Sequence, residues 1–390
     1  MEVPQDITFE IFSWLPAKSI CKFKSTCESY SKFFEEITFK TKQARNLVGR
    51  DDTCFFIQPE QLRQRYEKRV ELHSLSTKEK QSSGIPENVL TFLSNSACVL
   101  ASSNGLVLCH TINNDQLDLF VCNPITKSWS FIPTLESLQT CYNFANINLV
   151  LDCSRCSSDD FSVFLFENTM EFSPTSYICN VYHGKEGVWK TMESRFFPGG
   201  RNMKFDMPVF HNGAVHFISD SDLYFGRSSP FYKAYIMSYN LEDGTSTMLE
   251  LPREVTKDCH AMSMCNMGIF NWGKVTGSIR SICLVILSKS VFTIWVLEDY
   301  ESASWQKVSK VRVKELGLKE KDADITGFTV MNGDLLVFST EEKIYSCGLD
   351  DGRFTMVEEI CKHNCGSMPR FISYSDTLRS CGVNAETMPC

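Results

Sequence analysis

The sequence predicts an α+β protein by domain: a short N-terminal three-helix module, then a large all-β propeller of about six blades. Three observations carry that prediction. Apolar residues recur at helical spacing through the first 40 positions. Asn-Gly turn signals recur at near-constant spacing beyond residue 100, and the runs between them are rich in β-branched and aromatic residues.

The first helix lies between two prolines. Pro4 suits the opening turn of a helix and Pro16 stops it. On a helical wheel Ile7, Ile11, Trp14 and Leu15 cluster within about 100°, and Phe9 and Phe12 widen the apolar arc to about 220°. Only Asp6, Glu10 and Ser13 lie on a clearly polar side. A module this small cannot bury so wide an arc by itself, so the excess points to a partner protein. A second helix over Ala17–Lys24 turns Ile20 and Phe23 one way, and a third carries Cys27, Tyr30, Phe33, Phe34 and Ile37 at helical offsets. Periodicity alone also fits a helical cap on a larger domain. Residues 38–52, with Lys40, Lys42, Arg45 and Arg50, lose the apolar period and read as a linker or as the continuation of a helix, and from Cys54 short β-type runs begin.

The remaining chain repeats. Asn104-Gly105, Asn212-Gly213 and Asn332-Gly333, 108 and 120 residues apart, each sit between apolar runs, as hairpin turns do. Aligning Trp129, Trp189, Met248, Trp305 and Phe354 as equivalent strand positions gives steps of 60, 59, 57 and 49 residues. That period, with about four strands per unit, fits propeller blades of kelch-like length. Runs such as Ser281–Leu287 and Phe292–Leu297 are apolar on both faces, as strands sandwiched between neighbouring blades must be. A pair of β-sandwiches is the architectural alternative. Residues 139–175 and 309–324 fit the repeat poorly and read as loop insertions.

Composition excludes several classes. A net charge of −8 argues against non-specific nucleic-acid binding. The longest aliphatic run, Ile282–Leu287, is far short of a membrane span. The N-terminus has neither a basic nor an apolar signal region, so the expected location is cytoplasm or nucleus. The 18 cysteines are therefore expected reduced, and Cys98, Cys109, Cys122, Cys179, Cys283 and Cys347 lie in apolar runs where a thiol acts as a small hydrophobe.

The order Val3-Pro4-x-Asp6-Ile7…Glu10-Ile11…Leu15-Pro16-x-Lys18-Ser19-Ile20…Phe23-Lys24…Cys27-x-Ser29-Tyr30 closely resembles the F-box motif of plant proteins. Glu28 stands where that family usually has Lys or Arg, and Tyr30 where it has Trp. Farther on, Ala101–Cys109, then Cys122-Asn123-Pro124-Ile125-Thr126, then Ile132-Pro133 resemble the kelch-like F-box-associated region. Echoes follow at Phe210–Phe217, Leu251-Pro252 and Phe371–Leu378. The expected boundaries are an F-box over 1–45, a linker over 46–53, the propeller over 54–380 and a tail over 381–390.

The resemblance implies a non-catalytic substrate-recognition adaptor of a Skp–cullin–F-box ubiquitin ligase. Its F-box would dock a Skp-type adaptor, and through it a cullin, with Pro4, Ile7, Ile11, Leu15, Pro16 and Ile20 as the docking residues. Phe23, Tyr30, Phe33 and Phe34 would form the module's own core. The propeller would bind the protein to be ubiquitinated. The alternative is a propeller interaction module with a degenerate F-box acting outside ubiquitination, and a third reading is a propeller enzyme with an axial site.

No catalytic, cofactor or metal set stands out. Cys153-Ser154-Arg155-Cys156 has half the spacing of a zinc site but no second pair. Cys361, His363 and Cys365 cluster in the way chance allows in a Cys-rich chain. His211 and His216 flank a hairpin turn without an accompanying nucleophile, and the basic run Arg63–Arg69 reads as a solvated hairpin tip. No phosphate-cradling glycine loop and no paired Cys/His spacing of a zinc-bearing ligase module occurs.

Overall fold

The computed structural model describes residues 4–47, 52–59, 70–75, 97–113, 116–139, 148–153, 160–168, 176–222, 225–256, 265–273, 280–320, 323–350, 353–366, 369–382 and 385–387. Four helices open the chain: α1 Gln5–Phe12, α2 Ala17–Lys24, α3 Glu28–Glu35 and α4 Ile37–Asn46. Six sheets follow, and the architecture is a helical module joined to a six-bladed β-propeller rather than paired sandwiches. Contacts divide the chain into one unit of residues 1–164, 181–190 and 364–390 and a second of 165–180 and 191–363.

In the first unit, β1 (Cys54–Pro59) pairs on one side with β2 (Glu71–Ser74) and on the other with β23 (Pro369–Tyr374), a strand from the far end of the chain. The register runs from Cys54 opposite Tyr374 to Pro59 opposite Pro369. The second sheet contains β3 (Cys98–Ser103), β4 (Leu106–Asn113), β5 (Gln116–Asn123) and β6 (Ser128–Ile132), with β24 (Glu386–Thr387) added outside β6. A third sheet, whose residues are divided between the two units, has the order β10-β9-β8-β7, from β7 (Leu149–Asp152), β8 (Ser162–Asn168), β9 (Tyr177–His183) and β10 (Val188–Thr191).

The second unit holds three four-stranded antiparallel sheets. They are β11–β14 (Val209–His211, Ala214–Ile218, Tyr235–Asn240, Ser246–Glu250), β15–β18 (Asn266–Trp272, Ser281–Ser288, Val291–Asp299, Ser304–Arg312) and β19–β22 (Gly327–Met331, Leu335–Ser339, Lys343–Asp350, Arg353–Lys362). Strand β16 explains why its sequence does not alternate. Cys283 and Val285 enter one buried cluster with Phe292, Ile294 and Phe338, while Ile282, Leu284 and Ile286 enter another with Ile236, Ile269 and Trp295. Both faces exclude water, so both must be apolar.

The repeat marks fall in equivalent places. All three Asn-Gly pairs have positive φ at both residues, the left-handed conformation of the tight turn whose twist suits a hairpin. They join β3 to β4, β11 to β12 and β19 to β20. Lys289-Ser290 adopts the same conformation between β16 and β17 (φ 49° and 57°) without Asn or Gly, so composition did not reveal it. Trp129, Trp189, Met248, Trp305 and Phe354 each lie on the last strand of their sheet's main meander. Two of the indoles latch to the preceding repeat: Trp189 Nε1 donates to Pro133 O at 2.6 Å and Trp305 Nε1 donates to Glu250 O at 2.9 Å.

Several readings change or sharpen. Of the two readings of 38–52, linker or continued helix, the helix holds as far as Asn46: the segment contains α4, whose buried residues are Phe39, Gln43 and Ala44. Its buried stripe uses a glutamine, so the apolar period is broken although the helix is not. The third helix stops at Glu36, whose extended ψ of 132° also makes it the N-cap of α4, and Ile37 is exposed. The segment read as an insertion over 139–175 supplies β7 and β8, and in 309–324 strand β18 runs to Arg312 before a short 3₁₀ turn, Val313–Leu316. The segment read as a tail past residue 380 contains buried Cys381 and strand β24.

Two glycines with the same φ separate conformational strain from crowding. At Gly213 (φ 75°) an added Cβ meets nothing within 4 Å, whereas at Gly333 (φ 74°) it would lie 2.2 Å from Gly273 O. Gly213→Ala is expected to cost about 1–2 kcal/mol, the left-handed penalty alone. Gly333→Ala is expected to cost more, because backbone must move. Urea denaturation of the two variants checks this order, and equal losses would contradict it.

Candidate partner-docking face

The helical module has an aromatic interior. Phe9 meets Phe33 and Phe39 edge-on at 5.7 and 5.5 Å, Phe12 meets Tyr30 and Phe34 at 5.4 and 5.2 Å, and Tyr30 stacks on Phe34 at 5.8 Å. Such edge-to-face contacts add to the stabilisation from burying the rings. Ala17, Ile20 and, from the returning end of the chain, Leu378 close this core. Glu35 bridges Lys24 of α2 and Lys40 of α4. Partial burial pushes its carboxyl upward, but the two lysines outweigh this and hold it below the usual range.

With Phe9 and Phe12 turned inward, the remaining apolar residues of α1 and of the turn that follows it point out. Ile7, Ile11 and Trp14 are 51%, 56% and 44% exposed, a stripe at spacings of four and three. Pro4 and Pro16 are exposed at its two ends, and Leu15 is half-buried against the aromatic core. Trp14 Nε1 donates to Glu10 Oε1 at 3.1 Å, which orients the indole along the helix. Ile20 differs from expectation: it is 0% exposed, so it is a core residue and its side chain offers nothing to a partner. Phe23 differs in the other sense. It touches Phe12 at 4.9 Å between ring centres yet remains exposed, extending the apolar face.

The two departures from the F-box pattern have local accounts. Tyr30 fills the aromatic position through its contacts with Phe12 and Phe34. Glu28 opens α3, where the helix dipole favours an acid, and pairs with Lys32 at 2.8 Å on the surface.

The other candidates settle differently. His216 is buried: its Nδ1–H donates to Val209 O at 3.2 Å and its Nε2 accepts from Tyr300 OH at 2.7 Å. Burial lowers its pKa to about 4, and His211 is lowered for the same reason. Buried His363 hydrogen-bonds Thr340 O at 3.0 Å. Among the described residues no group of three His, Cys, Asp or Glu side chains is placed to hold a metal ion. Ser154–Cys156 and Arg63–Arg69 lie outside the described residues. The six cysteines read as small hydrophobes are all buried, and none of them is in a disulfide. Burial raises the thiol pKa of Cys179 to about 12 and of Cys347 to about 11, so both stay protonated and inert near neutrality. Among the described residues no helix is long and apolar enough to cross a membrane.

Sequence reasoning missed Gln43, and it read Asn104 only as a turn residue. Gln43 is fully buried and Asn104 half-buried, and both hydrogen-bond across the base of the module. The one available signal was a polar residue four positions after Phe39 in a helix that otherwise lacked period.

Profile comparison matches residues 1–42 to the F-box domain and residues 42–347 to the F-box associated beta propeller domain. The chain belongs to the F-box proteins with an associated β-propeller. Two F-box proteins of Arabidopsis thaliana are among its relatives. One is 23% identical over 80% of this chain and 79% of its own length, the other 24% identical over 78% and 74%. Among solved structures, TolB from Acinetobacter baumannii aligns with 86% of this chain and 70% of its own at a TM-score of 0.46 and 13% identity. In this F-box protein the apolar stripe lies within the residues matched to the F-box domain, and strands β1 to β20 within those matched to the propeller domain.

The neutral His216 gives the fold a pH dependence of definite sign. Its folded pKa lies below the unfolded value of 6.5, so its contribution is complete above pH 6.5 and is lost as pH falls toward 4. Stability is expected to fall by about 2–3 kcal/mol across that window, and His216→Gln should flatten the slope. Denaturation midpoints from pH 7 to 4 check this.

Proposed function

We propose that this F-box protein is the substrate-recognition subunit of a Skp–cullin–F-box ubiquitin ligase, acting in the cytoplasm or nucleus. The observation that carries the reading is the exposed stripe Ile7–Ile11–Trp14 on an F-box whose core is already closed, with Leu378, without it. Large apolar side chains in a row, flanked by Pro4, Pro16 and Phe23, suit burial against an apolar groove of a Skp-type adaptor. The adaptor connects to a cullin. The propeller binds the protein to be modified through its loops, where rigid strands hold variable segments. The chain itself contributes proximity rather than chemistry: it raises the effective concentration of target lysines near a ubiquitin carrier.

Glu28 supports a second reading, because it reverses the usual charge on an exposed helix start and would face an adaptor with the opposite sign. In that reading the propeller sequesters partners outside ubiquitination. Co-purification of a cullin with the full chain separates the two.

Binding of the purified chain to a Skp-type adaptor tests the face itself. Ile7→Asp with Ile11→Asp is expected to weaken binding at least about 30-fold while leaving the fold intact, since both side chains are exposed. Ile20→Asp is expected instead to unfold the module, visible as lost helical circular dichroism. Undiminished binding by the double variant, or no complex with the unaltered chain, would sink the proposal.

A further inference from the structure

The base of the F-box is held by a polar seam. On α4, Gln43 Nε2 donates to Leu15 O at 3.1 Å, in the turn that ends the docking face. The same side chain's Oε1 accepts from Leu378 N at 2.9 Å, in the segment returning from β23. Asn104, in the β3–β4 turn, donates to Ala44 O at 3.1 Å, and Thr377 Oγ1 donates to Asn104 O at 2.8 Å. Asn123 completes the set from the end of β5: its Nδ2 donates to Thr377 O at 3.0 Å and Arg379 O at 2.8 Å.

The returning segment is seated closely. An added Cβ on Gly105 would lie 2.0 Å from Thr377 Oγ1, so only glycine lets the turn approach it. Thr377, Leu378 and Arg379 are all buried, and the Leu378 side chain enters the aromatic core beside Phe34 and Phe39. Apolar contacts alone hold two bodies together but permit sliding. Buried directional bonds do not, because each one broken leaves an unsatisfied group away from water.

We propose that Gln43 is a positioning residue. With Asn104 and the segment Ser375–Cys381 it fixes the helical module in one orientation on the second sheet, so that the stripe Ile7–Ile11–Trp14 faces in a single direction. The purpose rests on the adaptor reading, since transfer by proximity depends on a fixed geometry. The orientation is measurable without any adaptor.

The test uses the full chain and two substitutions. Gln43→Met keeps the side-chain length but removes both bonds, and Asn104→Gly keeps the left-handed turn while removing the link to Ala44 O. Amide hydrogen exchange by mass spectrometry is read over residues 376–381, over α4 and over Phe9–Phe34. Either substitution is expected to speed exchange over 376–381 and α4 about tenfold, with Phe9–Phe34 unchanged. Affinity for a Skp-type adaptor is expected to be unchanged. In a reconstituted ligase, the set of lysines on this chain that become modified is expected to broaden.

Unaltered exchange over 376–381 would overturn the proposal. So would faster exchange spread through Phe9–Phe34 with weaker adaptor binding, which marks a merely structural role. If Gln43→Met does not fold, Asn104→Gly alone decides, because it alters no residue of the helical module. If the unaltered chain binds no adaptor, the functional reading fails while the exchange result still settles the seam.

Discussion

The pairing of Cys54–Pro59 with Pro369–Tyr374 is the constraint on which the first unit depends. Without it β1 and β2 would be a two-stranded hairpin, which is marginal in water, with an unpaired edge open to other chains. With it the sheet is completed and Phe56, Ile372 and Tyr374 join a buried cluster with Val99, Val107 and Cys122. The same pairing brings Thr377 and Leu378 to the helices. The helical module is therefore not finished by its own residues: its core needs a leucine that arrives more than 300 positions later.

That dependence explains how α1 sorts its apolar residues. A helix of eight residues with apolar side chains around most of its circumference has more surface than one core can take. Phe9 and Phe12 occupy the inward side because rings at that spacing meet Phe33, Phe34 and Phe39 at favourable edge-to-face angles. Ile7, Ile11 and Trp14 are left outside. A surface of this kind is unfavourable in isolation and suits recognition by a partner that covers it.

The blade strands show the same economy in another form. Strands β16 and β17 have no polar face because successive side chains enter different clusters, and small thiols such as Cys283 fill positions between larger residues. Burial raises the Cys283 thiol well above its ordinary pKa, which keeps it a packing group. One buried charge among the blade strands is held by several hydrogen bonds. Arg201 donates to the carbonyls of Phe231, Lys233 and Asp222 and pairs with Asp220 at 3.2 Å, fastening the long connection between β12 and β13.

Much of this was legible in the residues alone. Asn-Gly turns, the tryptophan period and the double-sided apolar runs are local signals, since turn conformation and strand burial are written in short stretches. The F-box order was equally local, and it pointed to Pro4, Ile7, Ile11, Leu15, Pro16 and Ile20, the last of which is buried. What local pattern could not decide was which apolar residues share a core. Ile20 and Phe23 look alike on a helical wheel, yet one is wholly buried and the other exposed, because Leu378 and the α4 helix cover only one of them. The α4 helix could not be told from a linker because its central buried residue is Gln43, whose place is justified by partners at Leu15 and Leu378 rather than by hydrophobicity. Sequence determined the repeated turns and strands and the kind of surface the first helix carries. Tertiary structure decided which side of α1 is left for a partner, because that choice is made by contacts between residues far apart in the chain.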